Sequence, residues 1–414
     1  MRRDAQLPGL ESELRFENMK PHPSHWWLIL ISFLFPVFVS AQVWVPTSAP
    51  TNNWQSIACS ADGTRVVAVA GGFSSAGPIV ISTNSGASWF QSAGAPSKNW
   101  TSVASSADGT KLAAVIYGGG IYTSTNSGNT WKSNSVPVSN WRCIAASGDG
   151  SKLMAVNYPS GLYNLYWSSN SGDSWIPTNA PTGNPYKIAA ASAGNRWMIA
   201  SDVGPVLVST NFGGTWTTNG GVPSQRWESV VVSADGLTLL AGANLYNAGN
   251  GVLYASTNLG GSWRSNSLPS QSWVSLAVSA DGSKLCANTS FNLFTSTNAG
   301  KTWASNNIYG NANVSDRSGA CVSADGSVML ASSFSGVIWR RLSQSKPVLG
   351  IVRAAAAQKI SWTVPSTNFV MQQSSDLQNW TDATNAPTLN LTNMQNEIVL
   401  PSAGGNYFYR LKTP

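Results

Sequence analysis

Ser124-Thr-Asn-Ser-Gly-Asn-Thr-Trp131 decides the reading of this chain. The pattern returns as Ser82–Trp89, Ser168–Trp175, Ser209–Trp216, Ser256–Trp263 and Ser296–Trp303, six copies spaced 40 to 47 residues apart. Each copy reads Ser-[Thr/Ser]-Asn-x-Gly-x-[Ser/Thr]-Trp, and a period of this length marks a repeat architecture. Every position suits the tip of a β-hairpin. Asn bonds to nearby backbone and tolerates left-handed geometry, Gly supplies φ > 0, and the hydroxyls satisfy backbone groups at the strand ends. The Trp opens the return strand and folds its apolar face over the turn.

A second landmark precedes each box. Trp-x-Ser-[Val/Ile]-Ala-x-Ser-Ala-Asp-Gly is nearly intact around Asp62, Asp108, Asp235 and Asp281, with variants at Asp149, Asn195 and Asp325. Asp-Gly between short apolar runs is a hairpin signal, so these aspartates are turn residues. The repeat then assembles as strand a (101–105), the Asp-Gly turn, strand b (111–117), a variable Gly-rich loop, strand c (120–124), the box, and strand d opened by Trp131. Four antiparallel strands with this period form a propeller blade.

The boxes closely resemble the Asp-box, or BNR, repeat, Ser-x-Asp-x-Gly-x-Thr-Trp, with Asn84, Asn126, Asn170, Asn211, Asn258 and Asn298 in place of the Asp. Asn accepts the same backbone bonds without the charge. The resemblance implies an all-β fold, a β-propeller whose boxes lie on outer hairpins away from the ligand site. The family includes sialidases, xyloglucan-degrading enzymes, sortilin-like receptors and a photosystem II assembly factor, so it fixes no single function.

Seven Asp-Gly-type landmarks stand against six boxes, which predicts seven blades. The last repeat ends at a strand near 336–339 and lacks its own strand d. Val43-Trp44-Val45 lies ten residues before Trp54, much as Trp89 lies eleven before Trp100. The N-terminal strand is therefore expected to complete the last blade and pair an edge that would otherwise stand open.

Residues 26–39 are an apolar run followed by Val39-Ser40-Ala41, a signal-peptide pattern with a small-residue cleavage site. Pro36 and the short length argue against a membrane span. The expected organisation is a signal peptide over 1–41, with Met19 an alternative start that leaves out 1–18. A propeller over 42–342, a linker over 343–347 and a small sandwich-like β module over 348–414 follow. The protein is expected to be exported, to a secreted, periplasmic or cell-surface location, and to be a monomer.

Charged residues make up only 10% of the chain, against about 25% on average. Four basic and four acidic residues precede Gln42, so the net charge of +7 is the same without them. The Lys and Arg are scattered rather than blocked, and nucleic acid is not an expected partner. Both His residues, His22 and His25, lie in the signal region, which removes His-based triads and His metal sites from the remainder. No metal or cofactor is expected. Cys59, Cys143, Cys286 and Cys321 show no metal spacing and read as buried free thiols. A Cys59–Cys321 bridge between the first and last blades is the one pairing to check.

Function is expected on the face of the d–a and b–c loops, which vary in length and sequence while the turns of the other face are uniform. Two groups of residues stand there. Trp54, Trp100, Trp141, Trp227 and Trp273, with Tyr186 in the fourth repeat, open each strand a. Exposed, they would stack on sugar rings; buried, they wedge between blades. The second group is Arg142, Arg226, Arg317, Asp202, Glu228 and Asp316. The arginines could clamp a carboxylate, and Asp202, Glu228 and Asp316 could supply the acids of a glycoside hydrolase. Sialidases use an arginine triad with a Tyr/Glu pair and an acid. This chain departs from them in its seven blades and in lacking a Phe-Arg-Ile-Pro segment. The expected role is non-catalytic binding of a glycan or a protein partner. A glycoside hydrolase of sialidase-like or other Asp-box type is the alternative, and a scaffold for protein assembly is a third reading.

Overall fold

The repeat that the boxes and Asp-Gly turns define folds as a four-stranded antiparallel unit. In the second repeat the strands are Trp100–Ser105, Leu112–Gly119, Ile121–Ser124 and Lys132–Ser133. They pair in that order. The computed structural model describes residues 44–412, apart from 74, 159–163, 179–183, 245–249, 267, 290–291, 307, 309–318, 334–335, 344–348, 355–356, 364–369, 384–386, 391–394 and 402–407. The expected signal peptide and most of the expected linker lie outside the described residues. Among those described, the chain is all-β, and no helix is long and apolar enough to cross a membrane.

Seven such units follow one another. Their first strands are Trp54–Cys59, Trp100–Ser105, Ser139–Ala146, Pro185–Ala190, Trp227–Val232, Trp273–Val278 and Ala320–Val322. The second and third units merge into one eight-stranded sheet, because Ser139 and Asn140 pair with Gly119 and Tyr117. The second strands, such as Val66–Ala70 and Leu153–Asn157, are buried at every residue, except for the last three residues of Leu112–Gly119. Sheets covered on both faces read as continuous apolar runs, as these do.

The box geometry is that of a hairpin tip. Asn126 Oδ1 accepts from the amide of Thr130 at 2.9 Å, its Nδ2 donates to Thr130 Oγ1 at 2.9 Å, and Ser124 Oγ accepts from the amide of Gly128 at 2.9 Å. Ser127 and Gly128 both take positive φ, 58° and 82°. Each Asp-Gly turn is equally local, with Asp108 Oδ1 accepting from Ser106 Oγ at 2.5 Å and from the amide of Thr110 at 3.0 Å.

Each first strand packs on the next, and Ala320–Val322 packs on Trp54–Cys59. Backbone hydrogen bonds trace the same order. Ala61 donates to Ala107, Ala107 to Gly148, Gly148 to Ser192, Ser192 to Ala234, Ala234 to Ala280, Ala280 to Ala324, and Ala324 back to Ala61, at 2.6 to 3.2 Å. Small residues at these positions let seven backbones meet. A Cβ on Gly148 would collide with the Ser192 hydroxyl.

The N-terminal strand completes the seventh unit, two residues later than the sequence suggests. Val45 and Pro46 pair with Arg340 and Trp339, whereas Val43 lies outside the described residues. The Trp44 side chain is buried in one cluster with Met329, Ala331 and Cys286.

Beyond 348, Gly350–Ala354, Ala357–Thr363, Gln395–Pro401 and Thr388–Asn390 form one sheet, and Thr381–Asp382, Val370–Ser374 and Phe408–Lys412 another. The two share a core of Ile360, Trp362, Met371 and Ile398. All four cysteines are free.

Candidate functional site

The candidate face is built by one repeated irregularity. In six units the pairing of first and second strands slips once, between Trp54/Ser56, Trp100/Ser102, Trp141/Cys143, Pro185/Lys187, Trp227/Ser229 and Trp273/Ser275. One residue per unit is left over: Gln55, Thr101, Arg142, Tyr186, Glu228 and Val274. A β-bulge bends its strand and re-aims the extra side chain. Three of the six bulge residues are thus candidates from the sequence. Tyr186 needs a correction. It does not share the tryptophan position, because Pro185 pairs with Ser201 as Trp141 pairs with Asn157. Proline lacks an N–H and is tolerated at the first residue of a strand.

The five tryptophans do not form an exposed platform. Trp54, Trp100, Trp141, Trp227 and Trp273 are 0% exposed. Each packs on the preceding unit, as Trp100 does on Val67 and Ile79 and Trp273 on Leu240 and Leu253. The indole N–H of Trp54 donates to Gly336 O at 2.9 Å, that of Trp227 to Gly204 O at 3.0 Å and that of Trp273 to Gly251 O at 2.8 Å. A ring with no exposed face cannot stack on a sugar, so these residues are wedges between units.

Five of the bulge residues, Gln55, Thr101, Arg142, Glu228 and Val274, line a cavity of about 190 Å³, and in the fourth unit Lys187 lines it in place of Tyr186. A second cavity of about 230 Å³ lies at the Asp-Gly end of the first strands, lined by alanines and serines. Charge is confined to the first.

Arg142 is held by rings. Its guanidinium lies 4.5 Å from the Phe73 ring centre, 5.5 Å from Tyr117 and 5.8 Å from Tyr158. The pairing of Asn140 with Tyr117 carries the second unit under the third and brings Tyr117 into place. Cation–π contacts of this kind fix a guanidinium without neutralising it.

Glu228 is held by polar groups. Asn244 Nδ2 donates to its Oε2 at 3.2 Å, and the Tyr186 hydroxyl stands 3.5 Å from its Oε1. Arg226 Nε lies 3.9 Å from Glu228 Oε2 and 3.6 Å from Asp202 Oδ1. Burial pulls the Arg226 guanidinium down, but Asp202, Glu228 and Tyr186 outweigh it and hold it above its usual range. Lys187 lies 4.9 Å over the Tyr186 ring. Burial again opposes its charge, and Tyr186 and Glu228 reverse the balance and raise it. Both cations therefore stay charged.

The structure thus brings Arg142, Tyr186, Arg226, Glu228 and Asp202 to one end of the fold, while Asp316 and Arg317 lie outside the described residues. Sequence reading misses Lys187, Gln55 and Asn244. Lys187 carried a signal. Two places after the tryptophan stands Ser56, Ser102, Ser229 or Ser275, and each hydroxyl accepts an amide of the next unit, Val103, Ile144, Leu276 or Ala320. Lysine at that place breaks the pattern. Among the described residues no group of His, Cys, Asp and Glu is placed to hold a metal.

No family model matches the chain, and no curated protein matches it. Solved structures do. The chain is similar to YCF48 bound to D1 peptide, with a TM-score of 0.54 at 15% identity over 73% of this chain and 97% of that one. It is likewise similar to YCF48 from Cyanidioschyzon merolae, with a TM-score of 0.53 at 14% identity over 72% and 98%. At this identity the likeness concerns the fold.

Proposed function

We propose that the seven units are the blades of a closed β-propeller, and that the chain acts by binding, without catalysis. The partner is a polypeptide segment seated at the bulge-lined cavity. We read 42–342 as the propeller, 348–414 as an appended β module and 1–41 as an export signal that places the protein outside the cytoplasm.

The observation that carries this reading is the make-up of the cavity. It offers two held cations, Arg142 and Lys187, with Glu228 and amide and hydroxyl groups, on a rigid frame. Pre-organised polar groups on a scaffold suit recognition of backbone and charged side chains. The expected sugar platform is buried, which turns the choice from a glycan toward a protein. One of the solved structures of similar fold holds a peptide, which supports the same choice.

One observation favours the hydrolase alternative, the Tyr186 hydroxyl 3.5 Å from Glu228, which lines the same cavity as Arg142. It ranks second because Tyr186 is buried, and both carboxylates, Asp202 and Glu228, are engaged by Arg226.

Selection of a displayed random-peptide library against the full chain tests the proposal. Peptide binders, a blank glycan array and intact chromogenic glycosides are the expected results. Glycoside hydrolysis that disappears in Glu228→Gln would put the hydrolase first.

A further inference from the structure

Cys59 lies at the end of the first strand of the first unit, and Cys321 in the middle of the first strand of the seventh. The two strands pack on each other across the seam where the chain closes. The side chains share one apolar cluster with Trp54, Val66, Leu330 and Ile338, and Cys59 is near enough to act on the Cys321 thiol electrostatically. Cys286 and Cys143 are placed differently. Cys286 is buried in a separate cluster, and Cys143 directs its sulfur to Ile188 O at 3.8 Å.

We propose that Cys59 and Cys321 are a modification site, a dithiol that a small-molecule disulfide oxidises to a covalent clasp between the first and seventh units. Access sets the order of events. Cys59 is half-buried and lines the 230 Å³ cavity, whereas Cys321 is buried. The Cys59 thiolate attacks one sulfur of the incoming disulfide, whose S–S bond breaks and releases the first small thiol. Cys321 then gives up its proton, and its sulfur attacks Cys59 Sγ. The mixed disulfide breaks and the second small thiol leaves. Two protein thiols are oxidised, and one small disulfide is reduced to two thiols. Burial pushes the Cys321 thiol well up, so the second step is slow at neutral pH and quickens as pH rises.

The clasp closes a loop that contains nearly the whole ring. Cross-links of long loops stabilise most in the chain-entropy account.

Incubation of the folded, full chain with oxidised glutathione, followed by alkylation and peptide mapping, tests this. The expected product is a Cys59–Cys321 linked peptide, with Cys143 and Cys286 still alkylated after denaturation. The thermal midpoint should rise by about 5 °C or more, and the rise should be absent in Cys59→Ser. Cys59→Ser keeps the test open if Cys321→Ala fails to fold. A Cys286–Cys321 link, glutathione retained on Cys59, or four alkylated cysteines would each overturn the proposal.

Discussion

The amide of Ala324 donates to the carbonyl oxygen of Ala61 at 2.7 Å. This is the seventh bond in a series that leaves Ala61 and returns to it, so the first and last repeats are neighbours. The Val45–Pro46 strand closes the same seam at the outer edge. Removing residues through Pro46 deletes that pairing and the buried Trp44, and should cost about 3–5 kcal/mol, the scale of losing a buried Trp. Thermal denaturation of the truncated chain checks this, and an unchanged midpoint would contradict it.

The box glycines should act on stability alone. Gly128 sits at φ 82°, and a Cβ there would collide with Ile81 of the preceding unit. Gly128→Val should cost about 1–3 kcal/mol for the strained backbone, plus the clash. Chemical denaturation gives the size. A folded variant that has lost partner binding would place the site on the wrong face.

Trp100→Ala and Trp227→Ala should each cost about 3–5 kcal/mol of stability, as large-to-small changes at fully buried positions do. Urea unfolding reads the loss directly. A near-neutral change at either position would mean that the indole is not a wedge.

Acid should loosen the Asp-Gly turns. Burial opposes the charge of Asp108, Asp149 and Asp281, but hydrogen bonds from Ser106 and Thr110, Ser147 and Ser151, and Ser279 and Ser283 outweigh it. All three carboxyls therefore lie below their usual value in the folded chain. The unfolded chain takes up these protons first as pH falls, so the contribution is complete above about pH 4 and is lost below it. The midpoint should fall with pH in that acid range, less steeply in Asp281→Asn. Equal slopes for the two proteins would contradict the assignment.

Most of the frame was legible because repetition is a sequence property. Seven landmarks and six boxes stand in the chain as seven units, the last completed from the N-terminus. The box Asn was read as a turn residue and is one, and its Nδ2 gives Thr130 a donor where Asp would offer only acceptors. The site was harder to read. A bulge shifts pairing by one residue without changing the apolar pattern. In the sequence Tyr186 therefore aligns with the tryptophans, although Pro185 holds that position, and Lys187 stands one place off the serine position. Burial of the tryptophans depends on the neighbouring unit, which one repeat cannot display. A further turn of the same kind was also missed. In the C-terminal module Ser374 Oγ donates to Asp376 Oδ1 at 2.9 Å, and the Trp380 indole donates to Leu377 O at 3.1 Å. This matches Ser82 on Asn84 at 3.0 Å and Trp89 on Gly86 at 3.1 Å, in a loop one residue shorter.

The claim that the bulge-lined cavity holds the partner is tested most directly by the affinity of a selected peptide for charge-reversed chains. Arg142→Glu and Lys187→Glu each replace a held cation on the cavity, and Lys301→Glu makes the same change on a box turn at the opposite end. With folding verified by circular dichroism, calorimetry should give a loss of about tenfold or more, roughly 1.4 kcal/mol, for each cavity variant and none for Lys301→Glu. Equal affinity across all three, or a loss confined to Lys301→Glu, would contradict the account.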